Sequence, residues 1–232
     1  MGQKKLIRFN EIKTFDNVLE RPEHINGKWN EHFKNNHPIT LELACGKGEY
    51  TVGLARMYPD RNFIGVDIKG NRIWRGAKTA LEEGLNNVAF LRTGIDKIAD
   101  YFNKGEVAEI WITFPDPQLR NSKHKKRLTH PRFLRLYQSI MIEDGVVNLK
   151  TDSPDLYQFT KTVLELYPIE VLQDIDNVYA QSIIAEELKI KTHYEQLDIA
   201  GCNRVHFLSF RVNKELTAET DAALKLAIHE ED

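Results

Sequence analysis

The sequence predicts an α/β fold built on a doubly wound, mostly parallel sheet with an antiparallel edge strand. Three observations predict it. Short apolar runs recur at 39–43, 62–67, 87–92, 108–114 and 145–150; amphipathic stretches separate them; and one late run, 204–212, alternates apolar with polar residues. Strands apolar throughout belong to a parallel sheet with helices on both faces, whereas alternation marks a strand with an open face.

Each element follows from local chemistry. The run 39–43 is the first strand and leads into Ala-Cys-Gly-Lys-Gly. Small and apolar side chains then recur at helical spacing until Pro59 stops them. The run 62–67 is a second strand that ends in an acid. In the following segment Ile73, Trp74, Ala77, Ala80 and Leu81 share one helical face, and Gly84 serves as C-cap. Strands at 87–92 and 108–114 come next, and the stretch 131–141 is a helix with Pro131 in its first turn. After the strand at 145–150, Ser153-Pro154 opens another helix, whose Leu156, Phe159, Val163 and either Leu166 or Tyr167 face inward. Residues 1–37 show no sustained period and read as an N-terminal arm, 38–213 as the domain body, and 214–232 as an acidic C-terminal tail.

The 232 residues carry 32 Lys and Arg against 34 Asp and Glu, a net charge of -2. That mean conceals segregation. Between residues 120 and 135 stand Arg120, Lys123, Lys125, Lys126, Arg127, Arg132 and Arg135 with no acid among them, while the last nineteen residues carry six acids against two lysines. A cationic stretch on a near-neutral chain predicts a localised polyanion partner. Cys45 and Cys202 are too few for a disulfide framework and match no metal-ligand spacing, so reduced thiols, a cytoplasmic setting and no metal are expected. No run approaches the roughly 20 apolar residues of a membrane span, and the N-terminus lacks a signal peptide's apolar core.

Ligands of such sheets bind outside the carboxyl ends of the strands, where the strand order reverses. The first strand ends in Glu42-Leu-Ala-Cys-Gly46-Lys-Gly48, a turn at which glycines let the backbone approach a ligand. A dinucleotide fingerprint would need a third glycine where Thr51 stands, and Glu42 would repel a pyrophosphate. Asp67 ends the second strand, the place from which an acid chelates ribose hydroxyls. Together these features suit S-adenosylmethionine, which is cationic and lacks phosphate. Phe-Pro-Asp116-Pro ends another strand immediately before the basic run, and Leu-Lys-Thr-Asp152 ends the next; Asp152 can also serve as the cap of the helix that follows.

The segments LELACGKGEYT, GVD, ITFPDP with KHKKRLTHPRFL, NLKTD and the tetrad Thr192-His193-Tyr194-Glu195 resemble the bacterial tRNA (guanine-N7)-methyltransferases, in order, from about residue 39 to 211. The resemblance implies a Rossmann-like class I methyltransferase fold with a seven-stranded sheet, and methylation of guanine 46 in the tRNA variable loop. It implies cofactor contacts at Glu42, Asp67 and Asp116, beside the Gly46 and Gly48 that the open turn already offers the cofactor, and tRNA contacts from Arg120, Lys123, Lys125, Lys126, Arg127, Asp152, Thr192, His193, Tyr194 and Glu195. Two departures stand out. The family's Pro-Trp-Pro after the catalytic aspartate is replaced by Pro117-Gln118-Leu119. The acid expected after the third strand falls on Gly94, leaving Asp96 as the candidate to meet the adenine. Guanine N7 carries an available lone pair, so the reaction needs alignment and stabilisation of positive charge more than a base. Asp116, its backbone restricted by proline on both sides, is the candidate catalytic residue. A methyltransferase for another substrate and a non-catalytic RNA-binding module remain as alternatives.

Overall fold

The strand pattern closes into one eight-stranded sheet, one strand more than expected. The computed structural model describes residues 2–197 and 204–230, so Cys202 lies outside the described residues. The strands are β1 (Val18–Glu20), β2 (Ile39–Leu43), β3 (Asn62–Asp67), β4 (Val88–Arg92), β5 (Val107–Thr113), β6 (Met141–Thr151), β7 (Glu170–Ile175) and β8 (His206–Arg211). The helices are α1 (Gly2–Glu11), α2 (Trp29–Phe33), α3 (Glu49–Met57), α4 (Gly70–Glu82), α5 (Pro131–Gln138), α6 (Pro154–Leu166), α7 (Glu186–Lys189), α8 (His193–Gln196) and α9 (Thr220–Glu230).

The strand order is β1-β4-β3-β2-β5-β6-β8-β7. The first six strands in that order run parallel, and β8 lies antiparallel to both β6 and β7. The alternating run is therefore antiparallel as expected but second from the edge. β7 is the outer strand; its Val171, Leu172 and Ile175 are interrupted by polar residues and do not form the unbroken apolar run of a covered strand. The additional strand β1 comes from the expected arm and pairs with β4 for only three residues, too few for a period to show.

Residue parity divides the core between the two sheet faces. Leu41, Leu43, Ile64, Val66, Ile110, Ile112, Val147 and Leu149 pack with α2, α5, α6 and α9, whereas Phe63, Phe90, Trp111 and Phe207 pack with α3 and α4. Both faces are covered, which is why the central strands read as unbroken apolar runs. In α4 the buried stripe is Ile73, Gly76, Ala77 and Ala80, while Leu81 is turned to solvent. Gly76 is in the stripe because α4 crosses the turn after β2 so closely that a Cβ there would stand 2.6 Å from the Lys47 carbonyl. In α6 it is Tyr167, after the last helical turn, that is buried, and Leu166 that is exposed.

The core crosses both expected boundaries. Trp29 and Phe33 of the arm and Leu216, Leu224 and Ile228 of the acidic tail belong to the main cluster. Arg135 secures the tail, donating to the Leu216 and Thr217 carbonyls and to the Asp221 carboxylate. No helix among the described residues is long and apolar enough to cross a membrane.

Candidate active site

The strand order turns around between β2 and β5, and a cleft of about 660 Å³ opens at the carboxyl ends there. Four strand ends supply its walls: Ala44, Cys45 and Gly46 after β2, Asp67 at the end of β3, Thr113 to Pro117 at the end of β5, and Asp152 to Asp155 after β6. Lys69 and Arg72 close one side, and Thr192 reaches in from the segment that carries α7 and α8.

The turn after β2 is built around two acids. Asp67 Oδ2 accepts the Gly46 amide at 3.0 Å and its Oδ1 accepts the Lys69 amide at 2.8 Å, which ties the ends of β2 and β3 together. Each of these oxygens retains acceptor capacity toward the cleft. Glu42 is buried and does not line the cleft. Its Oε2 accepts the Thr51 amide at 2.7 Å and the Thr51 hydroxyl as well, and its Oε1 accepts the Thr113 hydroxyl at 2.8 Å. It caps α3 from within the strand and links that helix to β5. Burial, opposed by these three hydrogen bonds, pushes its carboxyl up to about 7. Thr51, which the sequence marked only as a missing glycine, is the residue that occupies Glu42. Gly48, at φ +72°, also lies off the lining; a Cβ there would meet the Phe90 ring.

The backbone is strained where the cleft is built. Ala44, Phe114 and Gln118 adopt positive φ of 57°, 46° and 50°, a region costing about 1–3 kcal/mol for such residues. The Phe114 turn ends β5 and swings Pro115 and Asp116 across the cleft. Asp116 is exposed, and the Gln118 amide donates to its Oδ1 at 3.0 Å, an Asx turn that fixes its direction. Arg127 holds the same loop from behind, its Nε donating to the Pro117 carbonyl at 3.2 Å and its guanidinium lying 4.5 Å over the Phe159 ring.

This corrects the expected division of the basic run. Arg120 caps a 3₁₀ turn that spans Asn121–Lys126, and it and Lys123, Lys125 and Lys126 are exposed, whereas Arg127 is buried and Arg135 is engaged by the C-terminal segment. A planar guanidinium can stack on a ring and bond a carbonyl at once, which draws Arg127 inward while the lysines stay in water. Asp152 lines the cleft, but the cap of α6 is Ser153, whose hydroxyl accepts the Leu156 amide.

The tetrad 192–195 has a role that its T-x-x-E spacing could have revealed. The Thr192 hydroxyl accepts the Glu195 amide at 3.1 Å and the Glu195 carboxylate accepts the Thr192 amide, a reciprocal cap that starts α8. Glu195 is directed inward, to Lys150 at 3.1 Å and to the Tyr179 hydroxyl, because the buried ammonium needs a counter-charge. His193 is half-buried and off the lining, and the Tyr194 side chain lies outside the described residues. Asp96 is exposed and folds back toward Gly94, where a Cβ would stand 2.5 Å from its Oδ1; it too lies off the lining.

Five carboxylates line the cleft, Glu49, Asp67, Asp116, Asp152 and Asp155, against Lys69 and Arg72. Glu42 also occupies the α3 amide that would otherwise bind a phosphate. The cleft thus favours a cationic ligand over a dinucleotide. Among the described residues there is no cluster of His, Cys, Asp and Glu able to hold a metal ion.

Known proteins agree with this architecture. A family model described as "Putative methyltransferase" matches residues 36–206. A tRNA (guanine-N(7)-)-methyltransferase of Christiangramia forsetii is 48% identical over 91% of this chain and the whole of that relative. One from Bacteroides thetaiotaomicron is 42% identical over 97% of this chain and 93% of its own length. Among solved structures, the 16S rRNA methyltransferase KamB aligns with a TM-score of 0.61 at 14% identity, over 83% of this chain and 97% of that one. A 30S ribosomal A1408 methyltransferase from an uncultured bacterium aligns at 0.58 and 15% identity, over 84% and 98%. At such identities the structural likeness shows the fold, that of the class I methyltransferases. The sequence relatives show more: the chain belongs to the tRNA (guanine-N(7)-)-methyltransferase family.

Proposed function

We propose that the protein transfers a methyl group from S-adenosylmethionine to N7 of a tRNA guanine, that of position 46 in the variable loop. The observation that carries this reading is the adjacency of a fixed, exposed carboxylate, Asp116, to an acid-lined cleft on one side and to the exposed cations Arg120, Lys123, Lys125 and Lys126 on the other. The cofactor fits the residues present: Asp67 has acceptor capacity for a ribose diol, the Gly46 turn admits close approach, and the acidic lining suits a sulfonium and an ammonium. When bound, it supplies an electrophilic methyl group.

The chain's own residues do the rest. N7 needs no deprotonation, so alignment of nucleophile and methyl carbon dominates, and a near-attack separation of about 3–3.5 Å accounts for several kcal/mol of barrier. Asp116 accepts hydrogen bonds from the guanine N1–H and exocyclic amine and stabilises the cation that the purine becomes. Asp152 and Thr192, on the cleft wall, bound the space into which the base enters. The lysines of the 3₁₀ turn grip backbone phosphates and carry no base information. A tRNA substrate implies a cytoplasmic setting.

The test is mass spectrometry of nucleosides from undermodified tRNA incubated with the protein and labelled methyl donor. N7-methylguanosine at position 46 is expected. Methylation on an exocyclic amine, or none, would reject the reading. Asp116→Ala is expected to lower turnover about 100-fold or more with cofactor affinity nearly unchanged.

A further inference from the structure

At the heart of the cleft's support lies a lysine that the methyl-transfer reading leaves unused. Lys150, in β6, has a fully buried side chain in a strand otherwise apolar or neutral around it. Its three donors meet three acceptors, the Leu188 carbonyl at 2.9 Å, the Ile190 carbonyl at 3.0 Å and Glu195 Oε2 at 3.1 Å. All three belong to the 186–196 segment that crosses α3, where Ile190 packs on Gly53 and the Tyr50 hydroxyl donates to the Glu187 carbonyl. That segment delivers Thr192 to the cleft. The ammonium also lies 5.4 Å from the Phe114 ring centre and 5.5 Å from that of Tyr50, and the Lys150 carbonyl accepts the Phe114 amide at 2.8 Å. Phe114 is the left-handed residue that aims Pro115-Asp116. One residue thus contacts both the segment that carries Thr192 and the turn that carries Asp116, two walls of the cleft.

A buried ion pair is weak evidence for stability, since an apolar pair of the same shape is often as good. Its retention here has a geometric rationale: an ammonium with three fixed acceptors holds a segment in one register, which an apolar contact does not. Resting on the methyl-transfer reading, we propose that Lys150 is a positioning residue that clamps the Thr192 segment against the Phe114 turn and so aligns the base with Asp116.

The experiment compares wild type with Lys150→Met/Glu195→Gln, which removes both charges together, and with Tyr179→Phe, which removes one donor to Glu195 outside the cleft. Cofactor affinity, thermal midpoint, single-turnover rate at saturating tRNA, and amide exchange at Thr192 and Glu195 are measured. The double variant is expected to bind cofactor within about threefold of wild type yet react about 10–100-fold more slowly, with both amides exchanging faster. A double variant reacting within about threefold of wild type, or one with unchanged amide exchange, would overturn the proposal. Should it fail to fold, Tyr179→Phe decides: a lowered rate with unchanged midpoint supports the clamp, and an unchanged rate with unchanged exchange rejects it. Wild type separates the two readings. If it forms no N7-methylguanosine, the substrate assignment falls, and amide exchange alone judges the clamp.

Discussion

Glu42 gives the protein a pH-dependent stability that one substitution should erase. Its carboxyl is buried and pushed from an ordinary 4.5 up to about 7, chiefly by loss of hydration. Between those values the folded chain holds a proton that the unfolded chain has released. Stability therefore falls as pH rises through that window, is unaffected by this group below about 4.5, and has lost the full contribution above about 7. At 1.36 kcal/mol per pKa unit the loss is about 3 kcal/mol. Glu42→Gln keeps the shape: the amide oxygen accepts from Thr51 and the amide nitrogen donates to the Thr113 hydroxyl, with nothing left to ionise. Urea unfolding of both proteins from pH 4.5 to 8, followed by tryptophan fluorescence, isolates the effect, because every other group cancels in the difference. The variant's stability relative to wild type should rise by about 3 kcal/mol across that range. A difference flat with pH would refute the argument, and would mean that the three hydrogen bonds outweigh burial and keep Glu42 ionised.

Replacing Lys123, Lys125 and Lys126 together by alanine should weaken tRNA binding and make the slope of log affinity against log salt shallower by about 0.7–0.9 for each phosphate no longer neutralised, with cofactor affinity unchanged in equilibrium titration. Arg127→Ala should do the opposite, leaving the salt slope intact while lowering the urea midpoint and kcat, since it releases the Pro117 carbonyl and the Phe159 face. Arg135→Ala should destabilise the chain by about 1–3 kcal/mol in urea unfolding and open the C-terminal segment to limited proteolysis, because the guanidinium's charged hydrogen bonds hold that segment to α5.

The central strands were legible because burial on both faces leaves a signal in every residue. Ile39–Leu43 and Asn62–Asp67 form over the same residues that the sequence marks. What escaped was structure defined by pairing alone. β1 has three half-buried residues and β7 is exposed along almost its whole length, so neither shows the sustained apolar run or strict alternation that marks a covered strand. The tail misled for the converse reason. Its acids dominate the charge, yet Leu216, Leu224 and Ile228 decide its fate, and one of the acids, Asp221, is consumed by Arg135.

At the site, the acids at strand ends were legible because a carboxylate that ends an apolar run has few places to point other than the ligand edge. Asp67, Asp116 and Asp152 all reach the cleft. Which charges serve ligand and which serve scaffold was not legible, since that choice depends on partners distant in sequence. Arg127 and Lys126 are adjacent cations; Phe159, thirty-two residues on, takes one of them out of solvent. Glu42 and Asp67 are both strand-end acids; Thr51 and Thr113 withdraw the first, while the second is held at the cleft by the Gly46 and Lys69 amides. Lys150 left a trace that could be read: a lysine inside a run as apolar as Val-Val-Asn-Leu-Lys cannot be solvated on a covered sheet, so a buried partner must exist. That partner was in plain view as the last residue of T-x-x-E, and the reciprocal cap that this spacing encodes explains why the glutamate sits within reach of the ammonium.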